Sequence, residues 1–492
     1  MKKTFIAILC MAAELLSCTN DDNIVEGQTS AGVPMTFNIS VDEGATTRAA
    51  KTAWANGDKI YVFFNGLETK YLVLEYNGTS WSNTSGGGTL LDTDFSSLST
   101  KTLTAVHFPV AVDVAYADSR FSFTSGGKRV YNYYLYDNGK SYTVSGTTVT
   151  ATLAMGKPDD MVQIHVAGIQ DNVTDYTFGC TKIKPVACAS VVTDGTILES
   201  ELQAGARLSG VADADGGIFA GRLTSPGVET YYTFTVASDS KIYTLTRYSK
   251  TLTASKMYNF PALPASTDAN WTVQNASDLC VDLGLSVKWG KRNLGAYNEY
   301  DDGDYFTWGE IAGYLEGKTN FAWSTYAWGT AQNALTKYVN DNTSGVYIGG
   351  SKRFKDDITT LLPEDDAAYA ALGGKFRMPT SAEIDALIAT KSNTTDYTWT
   401  WCDGSTVKYS DTDAKGWMIV MNSTSATIFL PAVSYRDGES LATEPNQGNY
   451  WSSSLLIADP NDAKSLVISS NAASNNYNPR YLGFSVRPVY AE

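Results

Sequence analysis

Before residue 363 the chain contains no amphipathic helical run of three turns, and what stands in its place confines this stretch to β structure. Lys59 to Phe64, Thr102 to Phe108, Thr147 to Leu153, Met161 to Val166, Thr230 to Val236 and Lys241 to Tyr248 are short runs rich in Val, Ile, Thr, Tyr and Phe. Between the runs, Asn56-Gly57, Asn65-Gly66, Asn77-Gly78, Gly86-Gly87-Gly88 and Asn138-Gly139 supply positions where positive φ costs little. The pattern predicts sandwich-like domains, and the length of this half suits two better than one. At 492 residues the whole chain exceeds what one core serves, so two to four domains are expected.

Composition narrows the class of partner. Aromatic residues make up 12% and charged residues only 18%, with 30 Tyr and 41 Gly, as in secreted β-rich proteins. The formal charge of -15 is dispersed and leaves no basic patch, which argues against nucleic acid or an anionic membrane as a partner.

The N-terminus points to export. Lys2 and Lys3 precede an apolar run from Phe5 to Ala13, too short to span a bilayer and fitting the core of a signal peptide over residues 1–17. Leu15-Leu16-Ser17-Cys18 resembles a lipobox, which implies acylation of Cys18 and a permanent lipid anchor; Glu14 departs from that pattern, and a plain secretory signal is the alternative. Asp21 and Asp22 resemble the export signal of Bacteroidota-type lipoproteins bound for the outer face of the outer membrane. Residues 18–33 read as a polar linker.

Four cysteines remain once Cys10 leaves with the signal and Cys18 takes lipid: Cys180, Cys188, Cys280 and Cys402. They allow three full pairings, of which the domain boundaries below favour Cys180 with Cys188 and Cys280 with Cys402; buried free thiols are the alternative.

Thr46-Thr47-Arg48, followed by Trp54, Gly57, Asp58 and Ile60, resembles the opening of fimbrillin-family pilins, and Leu252 to Phe260 is similar to the last strand of that family's second domain. The resemblance implies two tandem transthyretin-like β-sandwiches, over 34–160 and 161–266. It also implies cleavage by an arginine-specific protease between Arg48 and Ala49, departure of the first strand, and filling of the vacated groove by a strand from another pilin subunit. Met35 to Val41 is the strand expected to leave, with Phe37, Ile39 and Val41 facing inward between Asn38 and Ser40. An ordinary loop arginine is the plainer reading of Arg48.

After a 267–278 linker, residues 279–492 carry Val281 to Trp289, Tyr305 to Glu310, Phe376-Arg377-Met378-Pro379-Thr380, Phe429 to Ala432, Tyr450 to Ser454 and Gly483 to Val489. Their order and spacing resemble the major paralogous domain family, FISUMP, a branch of the C-type-lectin-like and formylglycine-generating-enzyme-like fold. The resemblance implies a mixed α+β module. Two helices are expected, over Asp365 to Leu372 and after Thr380, with Glu383 completing a capping box and Ile384, Leu387 and Ile388 forming a buried stripe. The fold class is thus mainly β, two sandwiches followed by a lectin-like domain.

Loops Tyr297 to Tyr305, Trp323 to Trp328, Ser392 to Asp403 and Arg436 to Tyr450 are rich in Tyr, Trp, Ser, Asn and Gly, the composition of recognition surfaces. Trp323, Trp328, Trp399 and Trp401 are the candidates for exposure; Trp289, Trp308, Trp417 and Trp451 sit inside the signatures and read as structural. Glu444-Pro445-Asn446 matches the calcium tripeptide of mannose-type lectins, but the accompanying Trp-Asn-Asp is absent, which leaves Ca²⁺ at Glu444 and Asn446 a weak reading.

No enzyme motif emerges. There are two histidines, His107 and His165, no Gly-x-Ser-x-Gly or His-Glu-x-x-His, and no phosphate loop; no cofactor is expected. A glycosidase pair drawn from Glu310, Asp356, Asp357, Glu364, Asp365 and Asp366 is the one catalytic alternative. The expected role is a pilus tip subunit at the outer membrane or on fimbriae, whose terminal module binds a host or bacterial glycan or protein. A terminal strand used within its own module leaves none to donate. A stand-alone glycan-capturing lipoprotein is the other binding reading.

Overall fold

The structure is a computed structural model. It describes residues 32–41 and 54–491, apart from 126–127, 130–133, 159–160, 170–175, 181, 202, 204, 210, 214–215, 225–228, 239, 255, 333, 341–346, 349–351, 354–355, 443 and 445. The signal segment, Cys18, Arg48 and Ala49 lie outside the described residues. The fold is mainly β. No helix among the described residues is long and apolar enough to cross a membrane, which says nothing of β-barrels.

The first unit has three layers, where the sequence pattern predicts two. Strands β1 (Thr36–Val41), β2 (Lys59–Phe64), β3 (Tyr71–Tyr76), β4 (Trp81–Gly86), β5 (Thr102–His107), β6 (Asp113–Ala117), β7 (Arg120–Ser125), β8 (Lys128–Arg129), β9 (Leu135–Ser141), β10 (Thr143–Ser145) and β11 (Thr148–Leu153) build most of it. The middle sheet runs β4-β3-β2-β5-β9, and a small sheet β1-β11-β10 covers one face. The third sheet joins β6, β7 and β8 to Val186–Val192 and Ile197–Glu201, with Ser190, Val191 and Val192 paired to β7.

The reason lies in β2, whose five residues from Ile60 to Phe64 are all buried. A strand with side chains alternating across the sheet can bury five in a row only if both faces are covered. Phe64 meets Phe37 of β1, while Tyr61 meets Phe123 and Phe63 meets both Phe121 and Phe123 of β7. The boundary at residue 160 therefore does not separate two self-contained units. The 186–201 hairpin, drawn from the second half, helps close the first.

The second unit is a two-layer sandwich. One five-stranded sheet contains Met161–Ala167, Ile183–Lys184, Val211–Asp213, Gly216–Leu223 and Met257–Phe260; the other contains Thr177–Gly179, Leu208–Ser209, Glu229–Ala237, Lys241–Thr251 and Trp271–Asn275. Val162, Ile164, Phe219 and Phe260 meet Phe178, Phe234, Leu245 and Trp271 in a single core. The expected 267–278 linker is thus corrected. Trp271–Asn275 pairs with Lys241–Leu245 as an edge strand, because Trp271 is 1% exposed and closes that core.

The terminal region combines small antiparallel sheets with helices α2 (Ala367–Leu372) and α3 (Ser381–Ala389). Val489–Tyr490 lies between Lys288–Gly290 and Phe376–Arg377 in one sheet, joining the start and end of the region. Thr380 and Glu383 form the expected capping box, with Ile384 and Leu387 buried and Ile388 packed beside them. Asp366 caps α2 by accepting from Ala368 and Tyr369 backbone N–H groups.

Candidate functional sites

Among the described residues, strand β1 has a single ladder neighbour, with one further hydrogen bond from Asn83 Nδ2 of β4 to Phe37 O. It pairs in parallel with β11 from Thr36↔Thr148 to Val41↔Leu153, and its entry is clipped by a Pro34–Leu91 bridge and by the Val33 N–H donating to Asp92. Phe37 is buried while Ile39 and Val41 are half-buried, and Asn38 and Ser40 are exposed, as the alternation predicts. The Phe37 ring sits 5.9 Å from Phe64 and 6.2 Å from Phe95 of the short helix α1 (Asp92–Ser96), so β1 plugs an apolar slot with one large side chain. Just before β2, Trp54 packs edge-on to Trp81 and His107, Gly57 takes φ of 91°, and Asp58 accepts from the Ala55 N–H. These contacts give the Trp-x-x-Gly-Asp-x-Ile spacing a physical cause: a turn that aims Ile60 into the core.

In the terminal region the four tryptophans read as structural are buried: Trp289, Trp308, Trp417 and Trp451. Trp308 Nε1 donates to Ser452 O and Trp451 Nε1 to Phe306 O. The signature Arg487, 1% exposed, donates to Asn293 Oδ1 and to the carbonyls of Gly290, Lys291 and Phe429. It ties residues 290–293 and Phe429 to its own segment, three stretches far apart in sequence, which is why an arginine stands in that motif.

The four tryptophans expected on a binding surface are half-buried and fall into two separate places. Trp323 packs on Tyr326 and Tyr481, and Trp328 donates to Gly309 O beneath the Lys337 ammonium. Trp399 and Trp401 are on the Tyr397–Asp403 strand rather than a loop and flank Trp417, with Trp399 donating to Thr390 Oγ1. Residues two apart share a strand face, so both turn toward the core that Trp417 lines. Arg436 to Tyr450 is likewise not one open loop, since Gln447–Leu455 is a strand and Tyr450 is 1% exposed. The exposed aromatic within the expected loops is Tyr297, at 83%.

Glu444 and Asn446 are both exposed. Asn446 Oδ1 accepts from Lys415 Nζ at 3.0 Å, so a cation already stands at one of the two side chains the calcium reading draws on.

The cysteine pairings are also corrected: all four are buried free thiols. Cys188 belongs to the first core and Cys180 to the second, while Cys280 lies in the contact between the second sandwich and the terminal region. Burial raises the Cys180 thiol to about 11 and the Cys280 thiol to about 12.

Four of the six carboxylates of the glycosidase alternative make bonds within the fold. Glu310 pairs with Lys318 and accepts from the Ala327 N–H, and Asp365 takes Lys337 and the Tyr338 hydroxyl. Asp356 accepts from the Tyr338 and Val339 N–H groups, and Asp366 from Met378 as well as α2. His107, fully buried, bonds Lys59 O through Nδ1.

What sequence reasoning missed is the contact between the second sandwich and the terminal region. Arg207 donates from Nε to Ala370 O at 2.8 Å, from Nη2 to Ala371 O at 2.7 Å and from Nη1 to Thr235 O at 3.1 Å. Gln203 donates to Gly309 O and accepts from the Ile311 N–H. Ala237, Ile242 and Ala276 pack against Phe376 and Tyr490, and Gly373, at φ of 64°, brings its Cα so close that a Cβ would stand 2.7 Å from Ala237 Cβ. The two units meet through a buried, hydrogen-bonded face.

No family model matches the chain, and no curated protein matches it. Among solved structures, a fimbrial protein from Bacteroides ovatus aligns at 12% identity over 94% of this chain and 100% of its own, with a TM-score of 0.23. The fimbrial anchor protein Mfa2 from Porphyromonas gingivalis aligns at 12% identity over 50% of this chain and 96% of its own, with a TM-score of 0.22. TM-scores at this level do not establish a shared fold.

Proposed function

We propose that the chain is a surface-exported, fimbrillin-type pilus subunit and adhesin that binds rather than transforms its ligand. On this reading Cys18 carries the lipid anchor and a cut between Arg48 and Ala49 frees β1. A strand from another subunit then takes its place beside β11, and the FISUMP-like terminal region presents the ligand-binding surface at the pilus tip. The observation that carries the proposal is the attachment of β1: one parallel ladder neighbour among the described residues, one buried plug at Phe37, and a slot between Phe64 and Phe95 that its departure would open. An opened slot with unpaired backbone groups along β11 is what an incoming strand satisfies. Val489–Tyr490 is held inside its own sheet, which supports a subunit that accepts a strand without donating this one.

The test is the N-terminal sequence of the protein recovered from surface filaments, alongside an Arg48→Ala variant. The expected results are a start at Ala49 and a variant that stays lipidated and unassembled. Filaments that incorporate Arg48→Ala as well as the parent would refute the proteolytic step.

A further inference from the structure

A cleft of about 900 Å³ opens where the second sandwich meets the terminal region, lined on one side by Lys241 and residues 265–267 and 273–275, and on the other by residues 291–296 with Glu299. Preformed clefts of this size at domain contacts are where small ligands bind, and here the apolar contact between the two units continues into the lining through Leu372 and Phe376. Its charge runs against the rest of the molecule. In a chain of net charge -15, three cations, Lys241, Lys291 and Arg292, line one cleft.

The two acids of the cleft are engaged with neutral groups: Glu299 accepts from the Tyr409 hydroxyl and Asp278 from the Asn275 amide. Lys241 Nζ reaches Ala265 O at 3.3 Å, and neither Lys291 nor Arg292 has a carboxylate partner among the described residues. Tyr297 falls in sequence between Ala296 and Glu299, both of which line the cleft, and is itself outside the lining and 83% exposed. The exposed Gln274 and Asn275 side chains add polar groups to the wall.

We propose that this cleft binds an acidic saccharide. Lys291 and Arg292 would take its carboxylate or sulfate, the amides its hydroxyls, and the bare Tyr297 ring the apolar face of a sugar. A concave site focuses the field of its cations, so an anion is held there although the molecule as a whole repels it. A purely cationic patch would hold any anion; the exposed Tyr297, next in sequence to the lining Ala296, is what favours a sugar over an acidic peptide.

The site is tested by titration calorimetry on the full chain. The probes are tetragalacturonate, its methyl ester, a sulfated galactan oligosaccharide and poly-glutamate. The acidic sugars should bind, with the uronate and sulfate arms deciding which anion is preferred, and the methyl ester should bind at least about tenfold more weakly. Lys291→Gln and Arg292→Gln should each cost about three- to tenfold, with a loss also for Tyr297→Ala, a surface change that leaves the fold intact. Equal binding of acid and ester, poly-glutamate binding as tight as the sugars, no binding of either acidic sugar, or indifference to all three substitutions would each overturn the assignment. Because calorimetry measures the isolated protein, failure here leaves the filament test of the pilus reading untouched, and the reverse also holds.

Discussion

Arg207 offers the sharpest test of how the two C-terminal units are joined. It is 5% exposed, and no carboxylate pairs with it among the described residues; burial pulls its guanidinium down to about 10, still charged at neutral pH. Its three bonds run to backbone carbonyls, two of them in the last turn of α2, where helix carbonyls have no partner of their own. Three charge-assisted bonds at roughly 1.5 kcal/mol each give about 4–5 kcal/mol. Removing the guanidinium also relieves its desolvation, worth several kcal/mol in a buried ion, while leaving three carbonyls dry. The balance is a loss of about 2–4 kcal/mol for Arg207→Ala.

The loss should be local as well as global. In urea denaturation of the full chain, Arg207→Ala should move the transition that involves the terminal region. Hydrogen exchange should rise over residues 203–208 and 367–373, on both sides of the contact, while β2 and β5 stay protected. Arg207→Met, which keeps the stem but not the donors, should lose nearly as much. A shift under about 0.5 kcal/mol with unchanged exchange would refute the claim that these bonds hold the units together.

Two further predictions concern titratable groups. Burial, reinforced by Asp459, pushes the Asp462 carboxyl up to about 6, so the native state holds its proton more tightly than the unfolded chain. Its contribution is present at acid pH and lost as pH rises from the ordinary carboxylate range, about 4, through 6; denaturation midpoints should show Asp462→Asn removing that slope, and identical pH profiles would contradict it. The thiols of Cys180, Cys188, Cys280 and Cys402, all raised by burial, should be inert to an aromatic disulfide reagent in the native chain and all react in denaturant without reductant; fewer than four reacting would mean a disulfide exists.

Features set by near neighbours were legible in the sequence. The Thr380–Glu383 capping box needs only four residues, the β1 alternation only seven, and both stand as expected. The burial of Trp289, Trp308, Trp417 and Trp451 followed from their places in ordered signatures. What failed depended on distant partners. Trp399 and Trp401 look like loop aromatics until the strand opposite supplies Trp417, and Trp271 looks like linker until the sandwich edge needs closing. The 186–201 hairpin pairs with a strand some seventy residues earlier, which no local pattern announces. One signal was present and decisive: Ile60-Tyr61-Val62-Phe63-Phe64 is a continuous apolar run, the mark of a strand covered on both faces, and it called for a third layer.

That third layer bears on whether β1 can leave at all. In a two-layer sandwich, removing an edge strand that plugs the core exposes the only apolar interface holding the domain. Here the middle sheet has a second one. Tyr61 and Phe63 remain packed on Phe121 and Phe123 whatever happens on the β1 side, and Val186, Cys188 and Val191 reinforce that layer from the 186–201 hairpin. The apolar burial that departs with β1 is one full Phe and two half-buried aliphatics, about 4 kcal/mol, comparable to a local opening rather than global unfolding. On the proposed reading, a strand taking its place would have to return the same things: backbone partners along Thr148–Leu153 and a large apolar side chain in register with Val149, where Phe37 now sits. On the proposed reading, the extra layer would separate two roles that one core would confound, keeping the domain folded while its first strand is exchanged.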